Sequence, residues 1–149
     1  MEKTILLIIS ILLASCAGGV SPKANSFIPE LDSDESVSGK IFILVDTYTG
    51  RSLLDLRING DQKRLRSGQV FIADAFESDN VISVNYFSKT GLGNLFTPNA
   101  KITFNSDGSQ NHYLIITQTV FSAPFTSPYS INQVSEQTFR NTRQKKGQR

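Results

Sequence analysis

The run Leu53-Leu54-Asp55-Leu56-Arg57-Ile58-Asn59-Gly60 decides the fold class of this chain. Leucine and isoleucine alternate with charged residues after Leu53, and a period of two is typical of a β-strand with one buried face. Asn59-Gly60 then favours a type I′ hairpin turn, because both central residues of that turn need positive φ. The sequence therefore predicts a β-hairpin whose second strand covers residues 62–65.

Strand patterns flank this hairpin on both sides. Before it, Lys40 to Asp46 contains five consecutive apolar residues, which predict a strand buried on both faces. After it, strands are predicted over residues 70–75, 81–87, 101–105 and 112–121, with Ser78-Asp79-Asn80 and Ser106-Asp107-Gly108 as turns. Pro124 and Pro128 should end regular pairing.

The number and spacing of these strands predict an all-β domain. About six to seven strands with no long helical pattern between them favour an antiparallel β-sandwich or a small barrel. The chain has ten phenylalanines, which we expect to fill the space between the two sheets. Residues 133–143 are predicted to form a short helix or to stay frayed.

The N-terminus is typical of a bacterial lipoprotein signal. Residues 1–15 combine a weak positive start at Lys3 with about ten apolar residues, too few to span a bilayer, where roughly 20 are needed. Leu13-Ala14-Ser15-Cys16 has the form of a lipobox, and Cys16 is the single cysteine of the chain. We therefore expect Cys16 to be acylated, with palmitate or similar chains that hold the protein stably on a membrane.

The residue after Cys16 is alanine rather than aspartate, which by the known sorting pattern of such lipoproteins indicates an outer-membrane address. The protein would then face the periplasm or the cell surface, or the outer face of the cell membrane in a one-membrane bacterium. With one cysteine no disulfide can form within the chain, so stability has to come from the core.

Composition divides the rest of the chain into three parts. Residues 16–39 are rich in Gly, Ser, Pro and Asn and are predicted to be a flexible linker, with an r.m.s. span of about 25–30 Å. Alternatively, residues 26–31 pack as an edge strand. Residues 40–134 form the sandwich, and residues 135–149 form a basic tail, either helical or disordered. An acidic cluster precedes the domain (Glu30, Asp32, Asp34, Glu35).

The order of these features resembles a family of small bacterial lipoproteins catalogued only as a domain of unknown function. The resemblance covers roughly residues 40–136. It is carried by Cys16, Ile58-Asn59-Gly60, Leu65 with Gly68 and Phe71, and Tyr113-Leu114-Ile115-Ile116. It implies a β fold and an envelope address, and it implies no known chemistry.

No motif in the sequence points to catalysis. His112 is the only histidine, so one chain cannot supply two histidine ligands to a metal, and no Gly-x-Ser-x-Gly elbow is present. Ser78-Asp79-Asn80 and Lys89-Thr90-Gly91 match two motifs of penicillin-recognising enzymes, but the Ser-x-x-Lys motif with the nucleophile is absent. We therefore expect no catalytic residue, no metal and no cofactor.

The sequence favours a non-catalytic accessory lipoprotein. Its partners would be the lipid bilayer, through acylated Cys16, and another envelope protein or a glycan, and no nucleic acid. The alternatives are an envelope enzyme with an unfamiliar site and a carrier of a lipid or small hydrophobic ligand. The basic tail either stays solvated or binds an anionic surface through five candidate residues: Arg140, Arg143, Lys145, Lys146 and Arg149.

Overall fold

The computed structural model describes residues 21–33, 38–48, 53–86, 99–119 and 127–148, with all their side chains except that of Tyr86. These residues form two helices and eight strands in the order α1 (Pro29–Asp32), β1 (Lys40–Asp46), β2 (Leu53–Ile58), β3 (Asp61–Arg66), β4 (Val70–Asp74), β5 (Asp79–Tyr86), β6 (Ala100–Asn105), β7 (His112–Gln118), β8 (Tyr129–Val134) and α2 (Glu136–Gly147). No described helix is long and apolar enough to cross a membrane.

The strands form two four-stranded sheets, so the predicted all-β sandwich is confirmed. Sheet 1 has the order β4-β1-β7-β8, and sheet 2 has the order β3-β2-β5-β6. The predicted hairpin joins β2 and β3, and Asn59 and Gly60 have φ values of 50° and 98°, both positive as its turn requires. Gly60 tolerates this conformation because it lacks a Cβ.

Strand β8 is the main element that the sequence analysis missed. It pairs antiparallel with β7, from Gln118 opposite Tyr129 to Tyr113 opposite Val134. Pro128 directly precedes β8, a position where a missing N–H removes no ladder bond. Three of the four central residues of β8 are polar (Ser130, Asn132 and Gln133), as an edge strand allows, so the sequence of β8 shows no clear apolar pattern.

The centre of sheet 1 departs from the antiparallel prediction. Strands β1 and β7 pair in parallel, with Ile41 opposite His112 and Asp46 opposite Thr117. A parallel pair needs a long crossover, and here the chain forms β2 to β6 between the two strands. The carboxyl ends of β1 and β7 therefore lie side by side at one end of the sheet.

Strand β1 is buried on both faces, as its sequence predicts. Ile41, Ile43 and Val45 point into the core between the sheets, whereas Phe42 and Leu44 belong to a second core on the outer face of sheet 1. This alternation follows from the period of two along a strand. Sheet 1 is thus the middle layer of three: sheet 2 packs on its inner face, and the segments described below pack on its outer face.

The expectation that phenylalanines fill the sandwich is wrong in part. The fully buried Phe42 and Phe139 lie in the second core, outside the sandwich, where Phe42 stacks on Tyr113 and Phe139 packs against Tyr113 at a tilted angle. Phe71 and Phe104 only flank the inner core, which is mostly aliphatic. Phe87, Phe96, Phe121 and Phe125 lie outside the described residues.

Residues 21–33, here called the strap, pack on the outer face of sheet 1, although the sequence analysis placed them in a flexible linker. Ala24, Ile28 and Leu31 are buried in the second core. An isolated bridge joins Lys23 to Gln69 at the start of β4. This segment contains few apolar residues, but each of its large aliphatic side chains is buried.

Helix α2 packs beside the strap and confirms the helical alternative for the C-terminal segment. Ser135 caps it, since its Oγ accepts a hydrogen bond from the N–H of Thr138 at 3.3 Å. The face turned to the protein consists of Phe139, Arg143 and Lys146, spaced as i, i+4 and i+7. Only one of these three is apolar, so the sequence shows no amphipathic pattern.

Arg143 connects α2 to the strap, and we call this arrangement the clamp. Its Nη1 and Nη2 donate to Oδ1 and Oδ2 of Asp32 at 2.6 and 2.8 Å. Its Nε donates to the carbonyl of Ala24 at 2.8 Å, and Nη2 also donates to the carbonyl of Ser26. The side chain is about 10% exposed, and its planar donors match the carboxylate in a bidentate manner.

Candidate functional site

A cleft lies at the end of sheet 1 where the strap meets β4, and we call this end of the sheet the strap end. It is an open cleft of about 610 Å³ beside the carboxyl ends of β1 and β7, and we call it the strand-end cleft. Its described lining is mostly polar: Asp46, Thr47, Tyr48, Ser67, Gly68, Thr117, Gln118 and Lys146. The parallel pairing of β1 and β7 brings Asp46 beside Thr117, and the β3–β4 turn and α2 supply Ser67, Gly68 and Lys146.

Lys146 is the central charge of the strand-end cleft. Its Nζ donates to Oδ1 of Asp46 at 2.8 Å and to the carbonyl of Thr47 at 2.9 Å. Ser67 Oγ also donates to that carbonyl, at 2.7 Å, and accepts from the N–H of Thr47 at 3.2 Å. In the described part of the cleft these groups therefore satisfy one another's hydrogen bonds.

One polar atom at this cleft has no partner. Thr47 is 2% exposed, and its Oγ1 is buried without a hydrogen bond to any described residue. Such an atom has lost its water without compensation, which destabilises the folded state.

A second depression, which we call the basic groove, adjoins the strand-end cleft and shares Ser67, Gly68 and Lys146 with it. It has a volume of about 350 Å³, and Lys23 and Arg66 lie at its rim. Both side chains are exposed, and neither forms an ion pair with any described residue. None of the described lining residues of the groove is acidic, so its charge is positive.

The five basic residues proposed from sequence occupy different environments. Arg143 is buried in the clamp, and Lys146 is paired with Asp46 in the cleft. Arg140 pairs with Glu136, one helical turn earlier, at 2.6 Å. Lys145 is exposed, and Arg149 lies outside the described residues. The positive surface of the strap end thus consists of Lys146 from the predicted set together with Lys23 and Arg66, which sequence reasoning missed because they are far apart in the chain.

His112 belongs to a network at the opposite end of sheet 1. Its ring contacts Ser106 Oγ through Nε2 at 2.9 Å and Gln133 Nε2 through Nδ1 at 3.3 Å. An amide nitrogen can only donate, so Nδ1 accepts and Nε2 carries the proton that is donated to Ser106. This polarity is the reverse of a serine nucleophile, whose hydroxyl must donate to the histidine.

The environment of His112 explains its protonation state. The residue is 8% exposed and lies against the ring of Phe104 at a centroid distance of 4.6 Å. Burial lowers the pKa of His112 below its usual value, and the nearby carboxylate of Asp107 opposes this shift only in part. The neutral ring therefore joins β7 to the turn before it through Ser106.

The triplet Ser78-Asp79-Asn80 is likewise structural. Asn80 is fully buried, and its Oδ1 accepts from Asn59 Nδ2 and from the N–H of Phe76, both at 2.9 Å. Its Nδ2 donates to the carbonyls of Phe76 and Ser78. This side chain ties the start of β5 to the β2–β3 hairpin. Lys89-Thr90-Gly91 lies outside the described residues.

A third depression lies between strands β3 and β4, near the hairpin. This edge groove has a volume of about 270 Å³ and is lined by Ile58, Asn59, Asp61, Lys63, Phe71, Ile72, Ala73, Asp74 and Phe76. Strands β3 and β4 are edge strands, and Phe76 is 52% exposed beside them. An edge strand with an exposed aromatic neighbour offers backbone hydrogen bonds and an apolar contact together.

Within the described ranges, no group of three or more His, Cys, Asp or Glu side chains is arranged to hold a metal ion. Residues 1–20, which include Cys16, fall outside the description, as do Asp34 and Glu35. Comparisons with protein-family models, with curated proteins and with solved structures found no match for this chain. The resemblance to a lipoprotein family therefore stays a prediction.

Proposed function

We propose that this chain is an acylated envelope lipoprotein whose β-sandwich binds another envelope component without catalysing a reaction. The observation that carries the proposal is the sequence Leu13-Ala14-Ser15-Cys16 after a short apolar run. A single cysteine at the first position of the mature chain is what lipid attachment requires. The acyl chains provide the membrane contact, and the sandwich provides the contact with a partner.

The edge groove is the part of the sandwich best suited to a protein partner. The N–H of Val70 points away from β1, since it donates to the carbonyl of Pro22 in the strap at 2.9 Å. By the alternation of a strand, the backbone groups of Ile72 and Asp74 point outward as well, beyond the reach of the strap. An extended peptide could pair with them and place a side chain beside Phe76.

Replacing Cys16 with alanine should move the protein from the membrane fraction to the soluble fraction of its native host. The acyl chains are attached to the sulfur, and each buried CH₂ contributes about 0.8 kcal/mol to membrane binding. The measurement is fractionation followed by mass spectrometry of the mature N-terminus. A Ser109→Ala variant, altered on an exposed turn, should stay in the membrane fraction. An unmodified thiol in the wild-type product would contradict the lipoprotein assignment.

A photo-crosslinking side chain at Phe76 should capture a partner protein in intact envelopes. The edge groove offers the exposed ring of Phe76 beside a free strand edge, so a bound strand would lie within crosslinking reach. The same side chain at Val81, also exposed but on the outer face of sheet 2, is the control. The expected result is a discrete adduct from position 76 and none from position 81. Equal adducts from both positions, or none from 76, would argue against binding at this groove.

A further inference from the structure

The tether between Cys16 and the folded body is short. Gln69 Nε2 donates to the carbonyl of Ser21 at 3.3 Å, and the N–H of Val70 donates to that of Pro22 at 2.9 Å, so the chain is fixed to β4 from Ser21 onward. Five residue steps separate Cys16 from Ser21. A fully extended chain covers at most about 3.6 Å per residue, which limits the tether to about 18 Å in any conformation.

This length restricts how the body can sit on a membrane. A domain of this size is about 36 Å across, twice the reach of the tether. The end of sheet 1 near the Asn59-Gly60 hairpin lies about 20 Å further along β1 than the strap end, since a strand rises about 3.3 Å per residue. If Cys16 is held in the bilayer, the hairpin end cannot turn towards it, and the strap end must stay close to the lipid surface.

The strap end also carries a positive charge, which suits a surface of anionic lipid headgroups. Lys23 and Arg66 lie at the rim of the basic groove without an ion-pair partner among the described residues. The positive charge of Lys146 is balanced by Asp46, so the net positive charge of the groove comes from Lys23 and Arg66. Anionic lipid headgroups would supply the missing counter-charges, and each basic residue near such a surface contributes to binding independently of a specific contact.

We propose that the basic groove lies on the anionic headgroups of the membrane that holds acylated Cys16, with Lys23 and Arg66 as the contacting residues. This inference rests on the proposed function, because the lipid anchor fixes which surface is near. It gives the molecule one orientation: the strap end faces lipid, and the edge groove faces away from it. Of the basic residues of α2, Lys146 lies in the basic groove, where Asp46 balances its charge.

The test uses the mature chain with Cys16→Ser, so that only the surface charge drives binding. The parent should bind vesicles of phosphatidylcholine with phosphatidylglycerol at low salt and should not bind phosphatidylcholine alone. The double variant Lys23→Gln, Arg66→Gln should bind the anionic vesicles about 30-fold more weakly, from about fivefold for each cation. Vesicle sedimentation over a series of lipid concentrations gives the partition coefficients, and added salt should reduce them.

The matched control is Arg57→Gln with Lys101→Gln, which removes the same charge from the outer face of sheet 2. Both residues are exposed, and their neighbours in the strands, Leu56 and Ile102, point inward. This variant should bind anionic vesicles much like the parent. Equal weakening by the two double variants, or no binding by the parent, would overturn the orientation. Neither result bears on acylation, which mass spectrometry of the native product tests separately.

Discussion

Replacing Arg143 with methionine should lower the free energy of unfolding by about 3 kcal/mol. The substitution removes four hydrogen bonds and leaves the carboxylate of Asp32 and the carbonyls of Ala24 and Ser26 without their donor. Breaking a largely buried ion pair by removing one partner costs about 3–5 kcal/mol, because the remaining charge is uncompensated. We take the lower limit because the Asp32 side chain is 23% exposed. Urea unfolding followed by circular dichroism measures the loss.

Two further variants distinguish the hydrogen-bond geometry of the clamp from a general effect of positive charge on stability. Lys145→Met removes a neighbouring exposed cation of α2 and should change stability by less than about 0.5 kcal/mol. Arg143→Lys keeps the charge but cannot form the bidentate contact, so it should restore only a small part of the loss. If Arg143→Lys were as stable as the wild type, the geometry of the clamp would not matter, contrary to our account.

The clamp also predicts a dependence of stability on pH. The hydrogen bond from Arg143 is the main reason that the pKa of Asp32 is lowered from its ordinary value of 3.8, although partial burial opposes the shift. Below that ordinary value the unfolded chain binds more protons than the folded one. The contribution of Asp32 is therefore present above pH 3.8 and is lost as the pH falls through the lowered pKa. In Arg143→Met this acid-dependent loss should be smaller.

Replacing Phe42 with alanine should lower the free energy of unfolding by about 4 kcal/mol. The strap and α2 together form a covering layer on the outer face of sheet 1, and Phe42 is fully buried beneath it. Its ring stacks on Tyr113 at a centroid distance of 5.2 Å and lies edge-on to Phe139 at 6.4 Å. Truncation of a buried phenylalanine typically costs about 3–5 kcal/mol, because it loses apolar contacts and leaves a cavity. The same urea titration gives this value.

Phe27→Ala provides the matched control for the second core. Phe27 belongs to the strap but is 70% exposed, so the same chemical change should alter stability by less than about 0.5 kcal/mol. The comparison tests whether the strap and α2 truly cover sheet 1. Similar small losses for both variants would mean that Phe42 is not in a core and that the three-layer arrangement is wrong.

The local strand patterns are the part of this fold that the sequence predicts well. The alternation in β2 and the Asn59-Gly60 turn follow from backbone geometry and from the burial of one face, both of which depend on residues close in sequence. The apolar run of β1 likewise indicates burial on two faces. In each case the predicted strand agrees with the structure within one or two residues.

The covering layer could not be predicted in the same way. The strap and α2 lie more than 100 residues apart in the chain, and each contributes few apolar side chains, so neither segment has a strong pattern by itself. The sequence feature that relates the strap to α2 is opposite charge, since an acidic cluster precedes the domain and a basic cluster follows it. Asp32 and Arg143 come from these two clusters, and only tertiary structure shows that they meet.

The candidate binding surfaces could not be predicted either, because their residues are far apart in the chain. Lys23, Arg66 and Lys146 come from three separate segments, and the basic groove exists because β4 is joined to the strap at Gln69. A scan for runs of charge finds the C-terminal residues but not this cluster. The sequence predicts His112 only as a polar residue at a strand start, and its contacts with Ser106 and Gln133 are seen only in the structure.

Because the strap and α2 cover the same face of sheet 1, the first and the last described segments of the chain complete one hydrophobic layer together. A ribosome releases them at opposite ends of synthesis, so a partly made chain has this face of sheet 1 open. Stable folding must therefore wait until α2 has been synthesised. Removal of α2 should expose this apolar face of sheet 1 and leave an insoluble product.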